Sequence, residues 1–429
     1  MSVFDLLYNN SKASDDLWKE YTSANIKIGL NPVIKKGNLV FSYKNEPAKS
    51  REVFLTTSYM YYISDQGSII KASLKWRLIE SFYEESSAGD KQFGFSVFAG
   101  SKRYDFYTRT SDGLNHWLSQ LSNVAIMADF DSEYVCIKQI DAGQYGEVFL
   151  CQDLITKEYY AVKKINKNLF SNPKALKFLY NEIGIMRKLD HENIVKLYKV
   201  YEDNGFVYMI MEYCPHGNLL KRINQCKVFT ERESMVFIKN LLETLEYLHD
   251  KGIIHRDLKP ENILMASKNS IYTFKIADFG LSCYLDASEK TCSGSPGYMA
   301  PEILRGINYS TKADIFSAGV IAHILLTGIS PFMAKSSQKV IEKNARCRIM
   351  FNLPSFRRLS IMAIEFLQEL LCADPASRPS ADQAMKNDWL KIRKCSDSDA
   401  TTATLAKNDC FNYRDLGNFS IGIDKCVKN

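Results

Sequence analysis

The stretch from Gly252 to Asn262 constrains this chain more than any other, because it carries several polar side chains at fixed spacing on one short segment. It reads Gly-Ile-Ile-His-Arg-Asp-Leu-Lys-Pro-Glu-Asn. Asp257 lies two residues before Lys259 and five before Asn262, and Pro260 stiffens the segment. Such residues also occur in ordinary polar turns. A carboxylate, an ammonium and an amide in this order nevertheless suit phosphoryl transfer.

Phosphoryl transfer needs a hydrogen-bond acceptor that aims a hydroxyl at the γ-phosphate, and separate ligands that hold magnesium. Asp257 suits the first task and Asn262 the second. All eleven residues of the stretch agree with one motif, so a chance match is remote. The stretch resembles the catalytic loop of protein kinases. In that family Lys259 marks the serine/threonine-directed members, so the resemblance implies Ser and Thr hydroxyls of proteins as substrates.

The kinase resemblance covers residues 134–392 and implies a bilobal α+β domain. Residues 140–148 resemble the glycine-rich loop that folds over the phosphates, although Asp141 stands where the family has its first glycine. A carboxylate there repels a triphosphate unless it points away. By resemblance, the residues expected to contact ATP are Ile140, Gly143, Gly146, Val148, Ala161, Lys163, Glu212, Cys214 and Leu264.

Two further segments match the parts that such a loop needs. Lys163 lies in an apolar strand, where an unpaired charge is costly, and Glu182 on a following helix is its expected partner. Asp278, in Ala-Asp-Phe-Gly, matches the family's magnesium ligand. The resemblance therefore implies Asp257, Lys259, Lys163 and Glu182 as catalytic residues, Asn262 and Asp278 as metal ligands, and ATP and Mg2+ as cofactors.

The segment after Asp278 carries the candidate regulatory residues. Thr291 stands where many kinases accept an activating phosphate, and Arg256 is the one cation that the motif supplies for it. Downstream, Arg378 is expected to pair with Glu302. The pattern is closest to the calcium/calmodulin-dependent kinase group, but no Asp-x-Asp-x-Asp-Gly loop appears, so we expect no EF-hand calcium site.

Length and composition indicate more than a kinase domain. With 429 residues, of which 46% are apolar, the chain is too long for one ordinary core. The net charge of +6 does not by itself indicate nucleic-acid binding, and none is expected. The 11 cysteines are scattered singly and favour a reduced, cytoplasmic setting. The most apolar run, residues 318–326, is too short to span a bilayer and is expected to be a buried core helix.

Residues 31–126 have the texture of a separate domain. Between Lys36 and Arg109, short apolar or alternating runs separated by turn clusters predict an antiparallel β meander. Leu114, Trp117 and Leu121 then fall on one helical face. Several strands and a terminal helix resemble a pleckstrin-homology domain, a small β-barrel capped by its C-terminal helix. Residues 1–30 show no firm pattern, and residues 127–133 are expected to be a short linker between this domain and the part that resembles a kinase.

The resemblance to pleckstrin-homology domains raises the question of lipid binding. Lys49 and Arg51 fall where lipid-binding members carry basic residues that grip inositol phosphates, but Phe41 occupies the usual first lysine position. The alternative is that both are solvated strand-end charges. The two residues are therefore candidate contacts to a phosphoinositide membrane, which would make the protein peripheral to that membrane.

Two functions from different classes remain open at this point. The first is an active serine/threonine kinase, recruited or autoinhibited through its first domain. The second is a catalytically weak pseudokinase scaffold at membranes. The presence of Lys163, Asp257, Asn262 and Asp278 together favours the enzyme. Residues 393–429 turn polar and predict a flexible tail.

Overall fold

The chain folds into two compact units, one comprising Met1–Tyr180 with Leu197–Tyr213 and the other Asn181–Lys196 with Cys214–Asn429. The computed structural model describes residues 2–4, 16–21, 32–43, 46–85, 91–143, 146–226, 229–287, 293–307 and 310–391. The predicted flexible tail and the candidate phosphorylation site Thr291 lie outside the described residues. So does most of residues 1–30.

The described residues of the first unit form fourteen strands. They are β1 (Trp18–Tyr21), β2 (Val33–Phe41), β3 (Lys49–Thr56), β4 (Tyr59–Ile63), β5 (Ile69–Ser73), β6 (Leu78–Glu85), β7 (Lys91–Ala99), β8 (Lys102–Thr108), β9 (Ile126–Met127), β10 (Tyr134–Gly143), β11 (Gly146–Asp153), β12 (Tyr159–Asn166), β13 (Leu197–Glu202) and β14 (Phe206–Glu212). Its helices are α1 (Ser111–Leu121), the short α2 (Phe130–Glu133) and the start of α3 (Pro173–Met186).

All fourteen strands belong to one continuous sheet, in the order β1-β5-β4-β3-β2-β8-β7-β6-β9-β13-β14-β12-β11-β10. Strands β2 to β5 form one antiparallel meander, β6 to β8 form another, and Val40 opposite Tyr107 joins the two. Among the described residues, this ladder is open. The predicted antiparallel meander is therefore present, while the predicted small β-barrel is not confirmed.

Strand β9 joins strands β1 to β8 to strands β10 to β14. Ile126 and Met127 pair in parallel with Leu78 and Ile79 of β6, and Met127 also lies opposite Tyr201 of β13. We expected residues 127–133 to be a plain linker, but they contain the end of β9 and helix α2. Buried apolar side chains explain the difference, since Ile126 is 0% and Met127 4% exposed.

The start and the buried face of helix α1 agree with its sequence pattern. Thr110 caps it by accepting a hydrogen bond from the amide of Gly113 at 3.1 Å. Leu114, Trp117 and Leu121 are buried, as their spacing predicts, and they pack into the core of the N-terminal strands. The helix thereby covers apolar side chains of the sheet.

The second unit is mainly helical. Its helices are α4 (Leu219–Cys226), α5 (Glu231–Asp250), α6 (Pro301–Leu304), α7 (Lys312–Thr327), α8 (Ser337–Arg346), α9 (Ile361–Leu370) and α10 (Ala381–Met385). Two small sheets pair β15 (Ile253–Ile254) with β18 (Cys283–Tyr284) and β16 (Ile263–Met265) with β17 (Phe274–Ile276). Helix α7 is buried along nearly its whole length, which confirms residues 318–326 as part of a core helix. In the parts of the chain that the structure describes, no helix is long and apolar enough to cross a bilayer.

Candidate active site

A buried carboxylate fixes the backbone at the start of the loop of residues 255–262. Asp314 on α7 accepts hydrogen bonds from the backbone amides of His255 at 2.9 Å and Arg256 at 3.0 Å, and from the His249 ring at 3.0 Å. Burial alone would raise the pKa of Asp314, but these hydrogen bonds and the neighbouring imidazoles lower it overall. Asp314 thus stays ionised and fixes the backbone immediately before Asp257.

The backbone at this site adopts an uncommon conformation. Arg256 has a φ of 70° and Asp278 a φ of 62°, both in the left-handed region that residues with side chains rarely occupy. Such conformations persist only where surrounding contacts enforce them, and they cluster at functional sites. The flanking strands β15 and β17 supply part of that support.

Three side chains meet at the centre of the site. The hydroxyl of Ser295 donates a hydrogen bond to Asp257 Oδ1 at 2.7 Å and accepts one from Lys259 Nζ at 2.7 Å. Lys259 Nζ also lies 2.9 Å from Asp257 Oδ2. Burial by itself would lower the pKa of Lys259, but the Asp257 carboxylate outweighs it and the net shift is upward. A serine hydroxyl therefore lies between an ammonium and a carboxylate.

Asn262 and Asp278 fit the oxygen chemistry that magnesium requires. Asn262 donates through Nδ2 to the carbonyl of Asp257 at 2.8 Å and to its Oδ2 at 3.1 Å, which directs the amide oxygen away from Asp257. Asp278 Oδ1 accepts a hydrogen bond from the amide of Gly280 at 3.3 Å. A carboxylate and an amide oxygen are ligands that Mg2+ accepts readily, together with phosphate oxygens.

One carboxylate oxygen of Glu261, Oε2, is buried. Among the described residues, no hydrogen-bond partner reaches its Oε2. Burial raises the pKa of Glu261.

Arg256 contacts a residue that the sequence did not single out. Its guanidinium donates to the hydroxyl of Ser293, which is only 7% exposed. The expected partner of Arg256 was a phosphate on Thr291, which lies outside the described residues. A hydroxyl two residues after Thr291 was the available signal, but spacing alone does not show which hydroxyl faces the cation.

In the first unit, the expected nucleotide contacts lie on strands β10 to β14. Val148 is opposite Lys163, and Ala161 lies two residues before Lys163, so the three share one face of the sheet. Gly146 has a φ of 155°, and a Cβ there would approach the carbonyl oxygen of Lys164 to 2.7 Å, so glycine is required. Also on these strands are Ile140, Gly143 and Glu212.

The remaining expected residues belong to the second unit. Leu264 lies on β16, Cys214 follows β14, and Glu182 lies on α3. Glu182 is 4% exposed, and buried carboxylates in proteins are generally paired. Its pairing with Lys163 stays a prediction. The Asp141 carboxylate points toward its own backbone, because Oδ1 accepts a hydrogen bond from the amide of Ala142 at 2.8 Å.

The candidate lipid contacts are neutralised by neighbouring acids. Lys49 Nζ lies 2.9 Å from Asp65 and 3.4 Å from Glu46. Arg51 NH2 lies 2.7 Å from Glu46, and its guanidinium packs over Phe41 with its centre 4.8 Å from the ring centroid. Arg51 is therefore neither a solvated charge nor an open cation, and the geometry gives no support to phosphoinositide binding here.

Comparison with known proteins identifies the family. The model of the protein kinase domain matches residues 134–390. "Probable serine/threonine-protein kinase 2" of Plasmodium falciparum is 34% identical over 68% of this chain and 57% of its own length. "Calcium-dependent protein kinase 4" of the same species is 36% identical over 65% of this chain and 52% of its own length. "Calcium-dependent protein kinase 8" of Arabidopsis thaliana is 37% identical over 72% of this chain and 58% of its own length.

The chain spans little more than half the length of these relatives, so the calcium dependence in two of the names describes those whole proteins. The matched segment nevertheless covers well over half of this chain and contains the loop, the metal-ligand candidates and the glycine-rich strands described above. The chain therefore belongs to the protein kinase family.

Proposed function

We propose that this chain is an active protein kinase that transfers the γ-phosphate of ATP to Ser and Thr hydroxyls of proteins. The position of Ser295 carries the proposal. Its hydroxyl lies 2.7 Å from both Asp257 Oδ1 and Lys259 Nζ. A substrate hydroxyl in the same place would have its proton directed to Asp257, while Lys259 would stabilise charge on the transferred group.

The other residues would position the nucleotide. Asn262 and Asp278 would supply oxygen ligands for Mg2+, which would neutralise the triphosphate charge when bound. Lys163, held by Glu182, would contact the phosphates. Asp314 acts through the backbone of His255 and Arg256, so its role is to position the loop.

Phosphate transfer by the intact chain tests this proposal. With radiolabelled ATP and a peptide library, Asp257→Asn should lower incorporation by ~10² or more, because the hydrogen-bond acceptor is lost while the shape is kept. Asp388→Asn removes an exposed carboxylate of the same unit and should leave the rate unchanged. Equal incorporation by Asp257→Asn and the unchanged chain would overturn the mechanism and favour the pseudokinase scaffold.

We also propose that the N-terminal region regulates the kinase part through shared structure. Trp76, which is 1% exposed, stacks on Phe4 with ring centroids 5.4 Å apart and contacts the tilted ring of Tyr180 of α3 at 4.0 Å between centroids. Glu182 lies two residues after Tyr180 on the same helix. A change at Trp76 would therefore be passed along α3 to a predicted catalytic residue.

The location of the enzyme rests on the cysteine pattern alone. We propose a cytoplasmic protein, because the scattered thiols suit a reducing compartment. Fractionation of cells, with detection of the intact chain, tests this location. Recovery in an oxidising compartment would contradict it.

A further inference from the structure

Two cysteines face each other at the base of the hairpin that carries the glycine-rich loop. Cys136 on β10 is directly opposite Cys151 on β11 in the antiparallel ladder. Their Sγ atoms are 2.9 Å apart, closer than the van der Waals contact of two sulfur atoms. No local pattern in the sequence indicated this pair, because fourteen residues separate the two positions.

The ladder geometry is compatible with a covalent bond. Directly opposite residues in antiparallel strands have Cα atoms roughly 4.5–5.5 Å apart. A disulfide accepts Cα separations of about 4.4–6.8 Å. The register also shifts between Cys136 and Lys138, so a bulge next to the pair gives the backbone room to adjust.

The two thiols differ in access. Cys136 is exposed, whereas Cys151 is 0% exposed and packs in a core with Val162 and Ile210. Burial raises the pKa of the Cys151 thiol, and the hydrogen bond with Cys136 adds to the shift. An oxidant from solution therefore meets Cys136 first, and Cys151 can respond only to a group already formed on Cys136.

We propose that Cys136 and Cys151 are a redox pair, which a hydroperoxide converts to a reversible disulfide that links β10 to β11. The Cys136 thiolate attacks one peroxide oxygen, forms a sulfenic acid and releases an alcohol, or water from hydrogen peroxide. The Cys151 sulfur then attacks the sulfenic sulfur, the S–S bond forms, and the hydroxyl leaves with the thiol proton as water. Two thiols are oxidised and one hydroperoxide is reduced.

The bond would act on the loop at the other end of the hairpin. Gly143 and Gly146 lie at the turn between β10 and β11, while the cysteine pair lies toward the open end. A covalent link there prevents the two strands from separating. The oxidised hairpin should therefore open less often than the reduced hairpin.

Peptide mapping of the full chain tests the pair directly. Reduced protein is treated with hydrogen peroxide, free thiols are blocked with N-ethylmaleimide, and peptides are analysed without reductant. We expect a linked peptide that joins Cys136 to Cys151 and disappears with dithiothreitol. Cys226→Ser, which removes another exposed cysteine, should form the same link. Cys136→Ser should leave Cys151 unlinked.

Hydrogen exchange provides a second readout that does not depend on kinase activity. Amides of residues 134–153 should exchange more slowly in the oxidised chain, and this change should be absent in Cys136→Ser and in Cys151→Ala. Recovery of Cys136 as a sulfinic acid, with Cys151 free, would overturn the proposal. A linked peptide with unchanged exchange would overturn the restraint on the hairpin.

Discussion

At the scale of single residues, the second unit depends on buried polar groups with defined partners. Arg378 is 0% exposed and binds Glu302 with two hydrogen bonds, of 2.8 and 2.9 Å. The kinase motif predicted this pair, and the structure adds the carbonyl of Lys312 as a further acceptor at 2.8 Å. His323 is 2% exposed; in the part of the chain that the structure describes no carboxylate pairs with it, and its ring contacts the Ile329 carbonyl at 2.8 Å.

Breaking the Arg378–Glu302 pair should destabilise the second unit strongly. Arg378→Met leaves the Glu302 carboxylate buried and unpaired, which costs roughly 3–5 kcal/mol of unfolding free energy. Denaturant unfolding measures the change. Arg348→Met, at an exposed position, should stay within about 0.5 kcal/mol. Adding Glu302→Gln to Arg378→Met should recover part of the loss, and no recovery would contradict the charge-based explanation.

His323 should make stability depend on pH in the acid range. Burial lowers its pKa from 6.5 to about 4, so the unfolded chain binds a proton that the folded chain excludes. The free energy of unfolding keeps its full value above pH 6.5. It falls by up to roughly 3 kcal/mol as the pH drops from 6.5 toward 4. His323→Asn, which can keep the hydrogen bond to Ile329, should flatten this profile. His216→Gln, at an exposed position, should leave it unchanged, and an unaltered slope in His323→Asn would contradict the assignment.

At the scale of elements, a strand of two residues and one tryptophan link the N-terminal region to the kinase strands. Strand β9 hydrogen-bonds to β6 and β13, so the two sets of strands share a ladder. Trp76, at a φ of 69°, lies in the turn before β6 and contacts the ring of Tyr180. Residue patterns predicted strands on both sides, but a two-residue strand has no detectable period.

Removing the Trp76 side chain should lower both the stability and the basal transfer rate, whereas removing the Trp18 side chain should lower the stability alone. Trp76→Ala loses the ring contacts with Phe4 and Tyr180, and Trp18→Ala loses a comparable cluster elsewhere in the N-terminal core. Each should cost roughly 3–5 kcal/mol of unfolding free energy. Of these two variants, Trp76→Ala should also lower the basal phosphate-transfer rate, because Trp76 contacts Tyr180 of α3, whereas the described ring partners of Trp18 lie in or next to the N-terminal strands. Trp76→Phe should restore part of the rate, and equal rates in the two alanine variants would contradict the coupling.

At the scale of the whole molecule, the N-terminal region covers an edge that an isolated kinase domain would expose. Ser2 donates to Glu202 at 2.5 Å, the amide of Val3 donates to the same carboxylate at 2.6 Å, and Lys167 lies 2.7 Å from it. Glu202 is the last residue of β13, and β9 pairs with the same strand. The region is therefore integrated with the kinase strands, which differs from the expectation of a domain attached by a short linker.

Truncation should reveal what this cover does. A chain beginning at residue 126 retains β9, whereas one beginning at residue 130 leaves the β13 edge open to pairing with other molecules. Light scattering should show more self-association in the shorter chain. Both should differ from the full chain in basal transfer rate if the N-terminal region regulates the enzyme. Rates equal to the full chain would count against regulation, and equal association would count against edge protection.

The sequence by itself determined the kinase family and its candidate machinery, because residues 252–262 and 277–280 must place given chemical groups at fixed spacing along the chain. It also indicated an N-terminal region of strands and a helix, since periodicity is local. Only the tertiary structure decided that β9 unites the strands in one sheet, that acids neutralise Lys49 and Arg51, and that Cys136 meets Cys151. These features depend on register and packing between distant segments, which no local pattern encodes.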